Sequence, residues 1–119
     1  MELKWNQELF GVEIKDNENR FVVSAQPNMV MYWDDAVRFY KDNKVWQLPT
    51  REQLQLVAKY IDEVNALIRA NEGYEIFYYY HWTADEYDEF CAWFVAMNGG
   101  CTSNLNKFSC VYVRAVSNL

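Results

Sequence analysis

The stretch from Pro49 to Gly73 constrains the fold more than any other part of this chain. Thr50 followed by Gln53 is a capping-box pattern, in which a hydroxyl and an amide satisfy orphan N–H groups at a helix start. Leu54, Val57, Ala58, Ile61, Val64, Leu67 and Ile68 then recur at helical spacing and form one apolar stripe. Glu52, Gln55, Lys59, Asp62, Glu63 and Arg69 face the other way. The pattern predicts one helix over residues 51–70 that stops near Gly73, a natural C-terminal breaker.

A second helix is expected over about residues 33–42. Asp34 and Asp35 suit its first turn, where the helix dipole favours negative charge, and Ala36, Val37 and Tyr40 give it a short apolar face. Strands are expected elsewhere. Gly11–Lys15 and Arg20–Ala25 alternate around the polar turn Asp16-Asn17-Glu18-Asn19, a hairpin signal. Cys91–Met97 reads as a buried strand, closed by the turn residues Asn98-Gly99-Gly100. Phe108–Val116 alternates, with Val111, Val113 and Ala115 on one face and Tyr112, Arg114 and Val116 on the other. No linker, repeat or low-complexity tract interrupts the chain. Helices in the first half and strands in the second predict a single α+β domain over residues 1–119, with a mostly antiparallel twisted sheet.

Composition narrows the function classes. The net charge of −6 repels phosphate backbones and no Lys/Arg cluster relieves it, so no nucleic-acid partner is expected. No apolar stretch approaches the roughly 20 residues of a membrane span. Met1-Glu2-Leu3-Lys4-Trp5-Asn6 lacks the apolar core of a signal peptide, which favours a cytoplasmic or virion-associated protein over a secreted one. The 3 cysteines, Cys91, Cys101 and Cys110, are odd in number and match no zinc-ligand spacing. Reduced thiols acting as buried small hydrophobes are expected, with no metal and no cofactor. The 5 Trp, 9 Tyr and 7 Phe suit a thick core or a recognition surface equally.

Several blocks in order resemble one bacterial and phage domain. Trp46-Gln47-Leu48-Pro49-Thr50-Arg51-Glu52-Gln53-Leu54 is similar to its Trp-Arg-Leu-Pro-Thr-x-x-Glu-Leu signature. Upstream, Tyr32-Trp33-Asp34-Asp35-Ala36 resembles its helix start. Downstream, His81-Trp82-Thr83-Ala84-Asp85-Glu86-Tyr87 resembles its Tyr-Trp-Ser-Ser-Thr-Glu-Tyr block, followed by Ala92-Trp93, Asn98-Gly99-Gly100, Lys107 and Tyr112-Val113-Arg114-Ala115-Val116. This domain is the C-terminal domain of collagen-like adhesins, a relative of the formylglycine-generating-enzyme superfamily. The resemblance covers about residues 29–116 and implies a C-type-lectin-like fold. Gln47, Gln53 and Thr83-Ala84-Asp85 depart from the usual Arg, Glu and Ser-Ser-Thr, which suggests a divergent member. Trp46, Trp82 and Trp93 are expected in the core, and Glu86 with Arg114 as a charge pair that fixes the sheet.

No catalytic constellation is expected. His81 is the only imidazole and sits beside a core Trp; a pairing with Cys91 or Cys110 is a weak alternative. The cysteine pair used to form formylglycine has no counterpart. Asp85, Glu86, Asp88 and Glu89 read as a solvated loop, against the rival readings of acid–base or calcium chemistry. A ligand-binding module remains, recognising a protein or glycan through three loops placed on a rigid scaffold. In Tyr78–His81 the candidate is Tyr80. In Asp85–Phe90 the candidates are Asp85, Tyr87, Asp88 and Phe90. In Asn98–Phe108 they are Asn98, Thr102, Asn104, Asn106 and Phe108. The competing reading of Tyr78-Tyr79-Tyr80 is an ordinary strand with one buried face. Proteins diversified by retroelements also resemble this family, and in them Tyr87, Asn98, Asn104, Asn106 and Phe108 are the positions that would vary. The alternative function is an assembly subunit that buries its aromatic face in a homo-oligomer.

Overall fold

Three strands at the start of the chain form an antiparallel meander: β1 (Glu2–Asn6), β2 (Gly11–Asp16) and β3 (Asn19–Ser24). The hairpin joining the last two turns on Asn17 at φ 55, a left-handed position that Asn tolerates better than most residues. The computed structural model describes residues 1–119 throughout. After a short β4 (Met29–Met31) come three helices, α1 (Trp33–Tyr40), α2 (Arg51–Lys59) and α3 (Ile61–Ala70). The C-terminal half adds β5 (Tyr80–Glu86), β6 (Cys91–Ala96), β7 (Thr102–Asn106), β8 (Val111–Val113) and β9 (Val116–Asn118). One sheet has the order β1-β2-β3-β9 and the other β4-β8-β5-β6-β7, with β5 and β8 the one parallel pair. The chain is therefore α+β, with two mostly antiparallel sheets.

Two apolar clusters hold these layers. In the larger, Val12, Ile14, Phe21 and Val23 of the first sheet meet Leu54, Val57, Val64 and Ile68 of α2 and α3, with Val95 and Met97 from the second sheet. In the smaller, α1 lays Trp33, Ala36 and Tyr40 on Trp82, Phe94, Val111 and Val113. Each fully buried side chain of this size stabilises the fold by roughly 1.5–3 kcal/mol.

Several expectations need correction. The helix expected over 51–70 is two helices, broken where Tyr60 leaves helical geometry at φ −114, ψ 27. The apolar stripe runs through the break, so periodicity does not betray it. The bend lets one stripe serve two partners, since α2 packs on β5 and β6 whereas α3 packs on β1 and β2. The capping box at Thr50 and Gln53 is present as expected. The strand expected over 108–116 is also two: Phe108 lies in a turn, β8 belongs to the second sheet, and β9 crosses to the first. Strands flank the helices on both sides, so the expected split into a helical first half and a stranded second half does not hold. Gly73 follows the end of α3, and a Cβ there would lie 2.8 Å from Ala25 Cβ and 2.9 Å from Ile68 Cγ2. Close packing, more than the turn itself, demands glycine at that position.

Candidate functional site

Residues 71–79, between α3 and β5, carry no regular structure, yet their backbone is firmly held. Arg114 donates from Nη1 to Tyr74 O at 3.0 Å and from Nη2 to Glu75 O at 3.2 Å. Asn28 Nδ2 donates to Glu75 O at 3.0 Å. Asn65, buried on α3, takes both backbone groups of Ile76: it accepts from Ile76 N at 2.8 Å and donates to Ile76 O at 2.9 Å. Ile76 itself is buried and plugs the segment into the larger core. Tyr79 O accepts from Met97 N at 3.2 Å and lies 2.9 Å from His81 Nδ1.

With its backbone fixed from below, the segment turns its aromatic side chains outward. Tyr74, Phe77, Tyr78, Tyr79 and Tyr80 are between 44% and 64% exposed. An extended strand would alternate its side chains between two faces, so the reading of Tyr78-Tyr79-Tyr80 as a strand with one buried face is wrong. Neighbouring rings keep these aromatics in place. Phe77 meets Tyr112 edge-on at 5.4 Å, Tyr79 stacks on Tyr112 at 5.8 Å, and Tyr80 stacks on Phe94 at 4.2 Å. Tyr78 donates its hydroxyl to Asp62 Oδ1 at 3.0 Å, and that carboxylate holds the phenol's pKa above its ordinary value. The segment borders an open groove of about 610 Å³, walled also by Asn65, Glu75 and Asn98.

His81 lies beneath this surface and is fully buried, its ring stacked 5.6 Å from Tyr112. Burial pushes its pKa down to about 4, only partly offset by the hydrogen bond to Tyr79 O, with the Arg114 charge lowering it further. The imidazole is thus neutral at neutral pH, and donation to Tyr79 O places its proton on Nδ1. Its Nε2 has no partner, so neither Cys91 nor Cys110 is hydrogen-bonded to it. All three thiols are unpaired. Cys101 and Cys110 are exposed and Cys91 is half-buried, contrary to the expectation of buried cysteines. They sit at the ends of strands, where burial is incomplete.

The other predicted residues are placed differently. Asp85 lies on β5 rather than in a loop, and its Oδ2 accepts from Arg51 N at 3.0 Å at the start of α2. Glu86 does not pair with Arg114; it meets Lys107 Nζ at 2.5 Å, and Lys107 also donates to Glu89 O at 3.0 Å. Arg114 has backbone oxygens and Asn28 Oδ1 as its acceptors instead. Asp88 Oδ1 accepts from Phe90 N and Cys91 N, closing the turn between β5 and β6. Glu86, Asp88 and Glu89 are exposed to solvent as expected, yet all four members also support the fold, Asp85, Glu86 and Asp88 with their side chains and Glu89 with its carbonyl. Thr102, Asn104 and Asn106 lie on β7, not on a loop, because pairing with β6 overrides the weak strand propensity of asparagine. Thr102 Oγ1 donates to Phe94 O at 2.7 Å, and Asn106 Oδ1 accepts from Phe108 N at 2.8 Å.

Of the ten predicted ligand contacts, Tyr80 and Asn98 come together at the groove. Tyr87, Phe90 and Phe108 are exposed at the opposite end of β5, β6 and β7. Tyr87 there covers Trp93 edge-on at 5.2 Å, and Arg51 lies over the same ring at 4.0 Å. Trp93 and Trp46 are half-buried, whereas Trp82 is the fully buried core residue that was expected. Tyr74, Glu75, Phe77 and Asn65 were missed. Asn65 did leave a signal: it falls between Ile61 and Ile68 on the apolar stripe, where a polar residue needs a buried partner. The remaining structure gives no helix long and apolar enough to cross a membrane. No protein-family model matches the chain, and no curated protein matches it.

Proposed function

We propose that this chain is a non-catalytic, C-type-lectin-like recognition module that binds a protein or glycan on the aromatic face formed by Tyr74–Tyr80. One observation carries the reading: Phe77, Tyr78, Tyr79 and Tyr80 are consecutive and all exposed, following a backbone pinned at Tyr74, Glu75 and Ile76 by Arg114, Asn28 and Asn65 and held again at Tyr79 by Met97 N. Rings held in place lose little freedom when a ligand covers them, and tyrosine offers both an apolar face and a hydroxyl. Glu75 and Asn98 add polar groups on the groove wall, and exposed amides and carboxylates suit hydroxyl-rich or peptide ligands. An irregular segment carried by a rigid sheet is also the arrangement that the lectin-like resemblance implies.

The test is capture of glycans on an array, and of proteins from bacterial surface extracts, by the immobilised chain. It is run beside a Tyr78/Tyr79/Tyr80 triple-alanine variant and a Tyr87/Phe90/Phe108 triple-alanine variant. Capture lost only in the first variant supports the proposed face. Capture lost only in the second moves the site to the far end of β5. No capture by any form, with light scattering showing a concentration-dependent oligomer that the first variant dissolves, would replace recognition with assembly.

A further inference from the structure

A second cavity, sharing no lining residue with the aromatic groove, is bordered by residues of α1, β4 and β8. It measures about 310 Å³. Phe39, Tyr40 and Trp46 line it, together with Pro27 and Met29. Its aromatic wall is ordered: Phe39 and Tyr40 meet edge-on at 4.9 Å, and Asn43 Oδ1 accepts from Trp46 N at 2.8 Å to fix the loop after α1. Phe39 is 59% exposed, so its ring is open to a ligand.

Among the residues lining this cavity Arg114 alone carries a charge. Its side chain is 2% exposed, and none of the chain's ion pairs includes it. Its two Nη atoms donate to Ser24 O, Gln26 O, Tyr74 O, Glu75 O and Asn28 Oδ1, all neutral acceptors. Nε has no acceptor at all. Neutral oxygens solvate this buried cation through their dipoles but leave its net charge unneutralised, whereas buried charges are ordinarily paired. The cavity therefore combines aromatic walls with a net positive charge that no anion of the chain pairs, which disfavours cationic ligands and favours anionic ones.

We propose that this cavity is a binding site for a small aromatic carboxylate, its ring against Phe39, Tyr40 and Trp46 and its carboxylate directed to the Arg114 guanidinium. The site is independent of the Tyr74–Tyr80 face: it requires no macromolecular ligand, and either reading can fail while the other stands.

The test uses three ligands of one shape: indole-3-acetate, its neutral amide indole-3-acetamide, and the cationic tryptamine. Binding to the full chain is measured by titration calorimetry and by amide chemical-shift mapping. Indole-3-acetate is expected to bind at least about tenfold more tightly than the amide, with tryptamine weakest, since the net positive charge beneath the cavity favours the anion and a tenfold change needs only about 1.4 kcal/mol. Shifts are expected at Phe39–Trp46 and Val113–Ala115. Phe39→Ala removes an exposed wall residue, and is expected to weaken indole-3-acetate severalfold with the melting temperature unchanged. Equal affinity for the three ligands, no saturable binding of indole-3-acetate at millimolar concentration, or shifts confined to Tyr74–Tyr80 would each overturn the proposal. Arg114 itself is left intact, because its loss unseats the segments it ties together, and the ligand series reads the charge without that complication.

Discussion

The aromatic segment Tyr74–Tyr80 and the acidic turn Asp85–Phe90 sit at opposite ends of β5, and both look like recognition loops by composition. They are held in opposite ways. The aromatic segment is gripped through its backbone by side chains from elsewhere: Arg114, Asn65, Asn28 and His81. The acidic turn is held largely by its own side chains: Asp85 on the start of α2, Glu86 on Lys107, Asp88 on the backbone of its own turn. A polar side chain already engaged in the fold has less to offer a ligand. Availability for binding thus depends on which atoms the fold has left unused, and residue type alone does not reveal that.

Substitutions can break or sharpen this contrast. Arg114→Met removes the anchor of the aromatic segment and strands several carbonyls, and is expected to cost about 3–5 kcal/mol in urea unfolding. A loss below about 1 kcal/mol would show that the segment is held by something else. His81 makes the next largest contribution, through pH. Its pKa is about 4 in the folded chain against 6.5 ordinarily, so the unfolded chain takes up a proton first as pH falls. The stability linked to neutral His81 is complete above pH 6.5 and declines toward about pH 4, by about 3 kcal/mol in all. His81→Leu is expected to flatten that part of the pH profile, and Tyr79 O keeps Met97 N as its donor.

The acidic turn predicts smaller effects that fall on stability. Asp85→Ala removes a carboxylate from the start of α2 and is expected to cost about 1–2 kcal/mol in thermal unfolding. Asp88→Ala opens the turn between β5 and β6 at a cost of about 1 kcal/mol. Tyr79→Ala is expected to change stability by less than about 0.5 kcal/mol, since the ring is largely exposed. That same substitution is expected to weaken ligand capture more than either aspartate change does. Were Asp88→Ala to abolish capture and leave stability untouched, the assignment of the two regions would have to be exchanged.

Local features were legible in the residues themselves. The capping box at Thr50, the hairpin turn before β3 and the Gly99-Gly100 turn, with φ of 100 and 78, all depend on groups a few positions apart. The groove was only half legible. Tyr80 and Asn98 were named for it, but Tyr74 and Phe77 were not, because an aromatic residue reads equally well as core or surface. The split of the final strand was hidden for a similar reason: Val111–Val116 alternates without interruption even as the chain changes sheets.

Sequence by itself determined the α+β class, the starts of α1 and α2 and the tight turns, since each rests on hydrogen bonds or periodicity within one short stretch. Tertiary structure decided which polar groups are free. Arg114 draws its acceptors from 39 to 90 positions away, and Asp85 meets Arg51 across 34. No pattern in the neighbouring residues reports such a partner, because a buried charge or carbonyl is satisfied by whatever the fold brings to it.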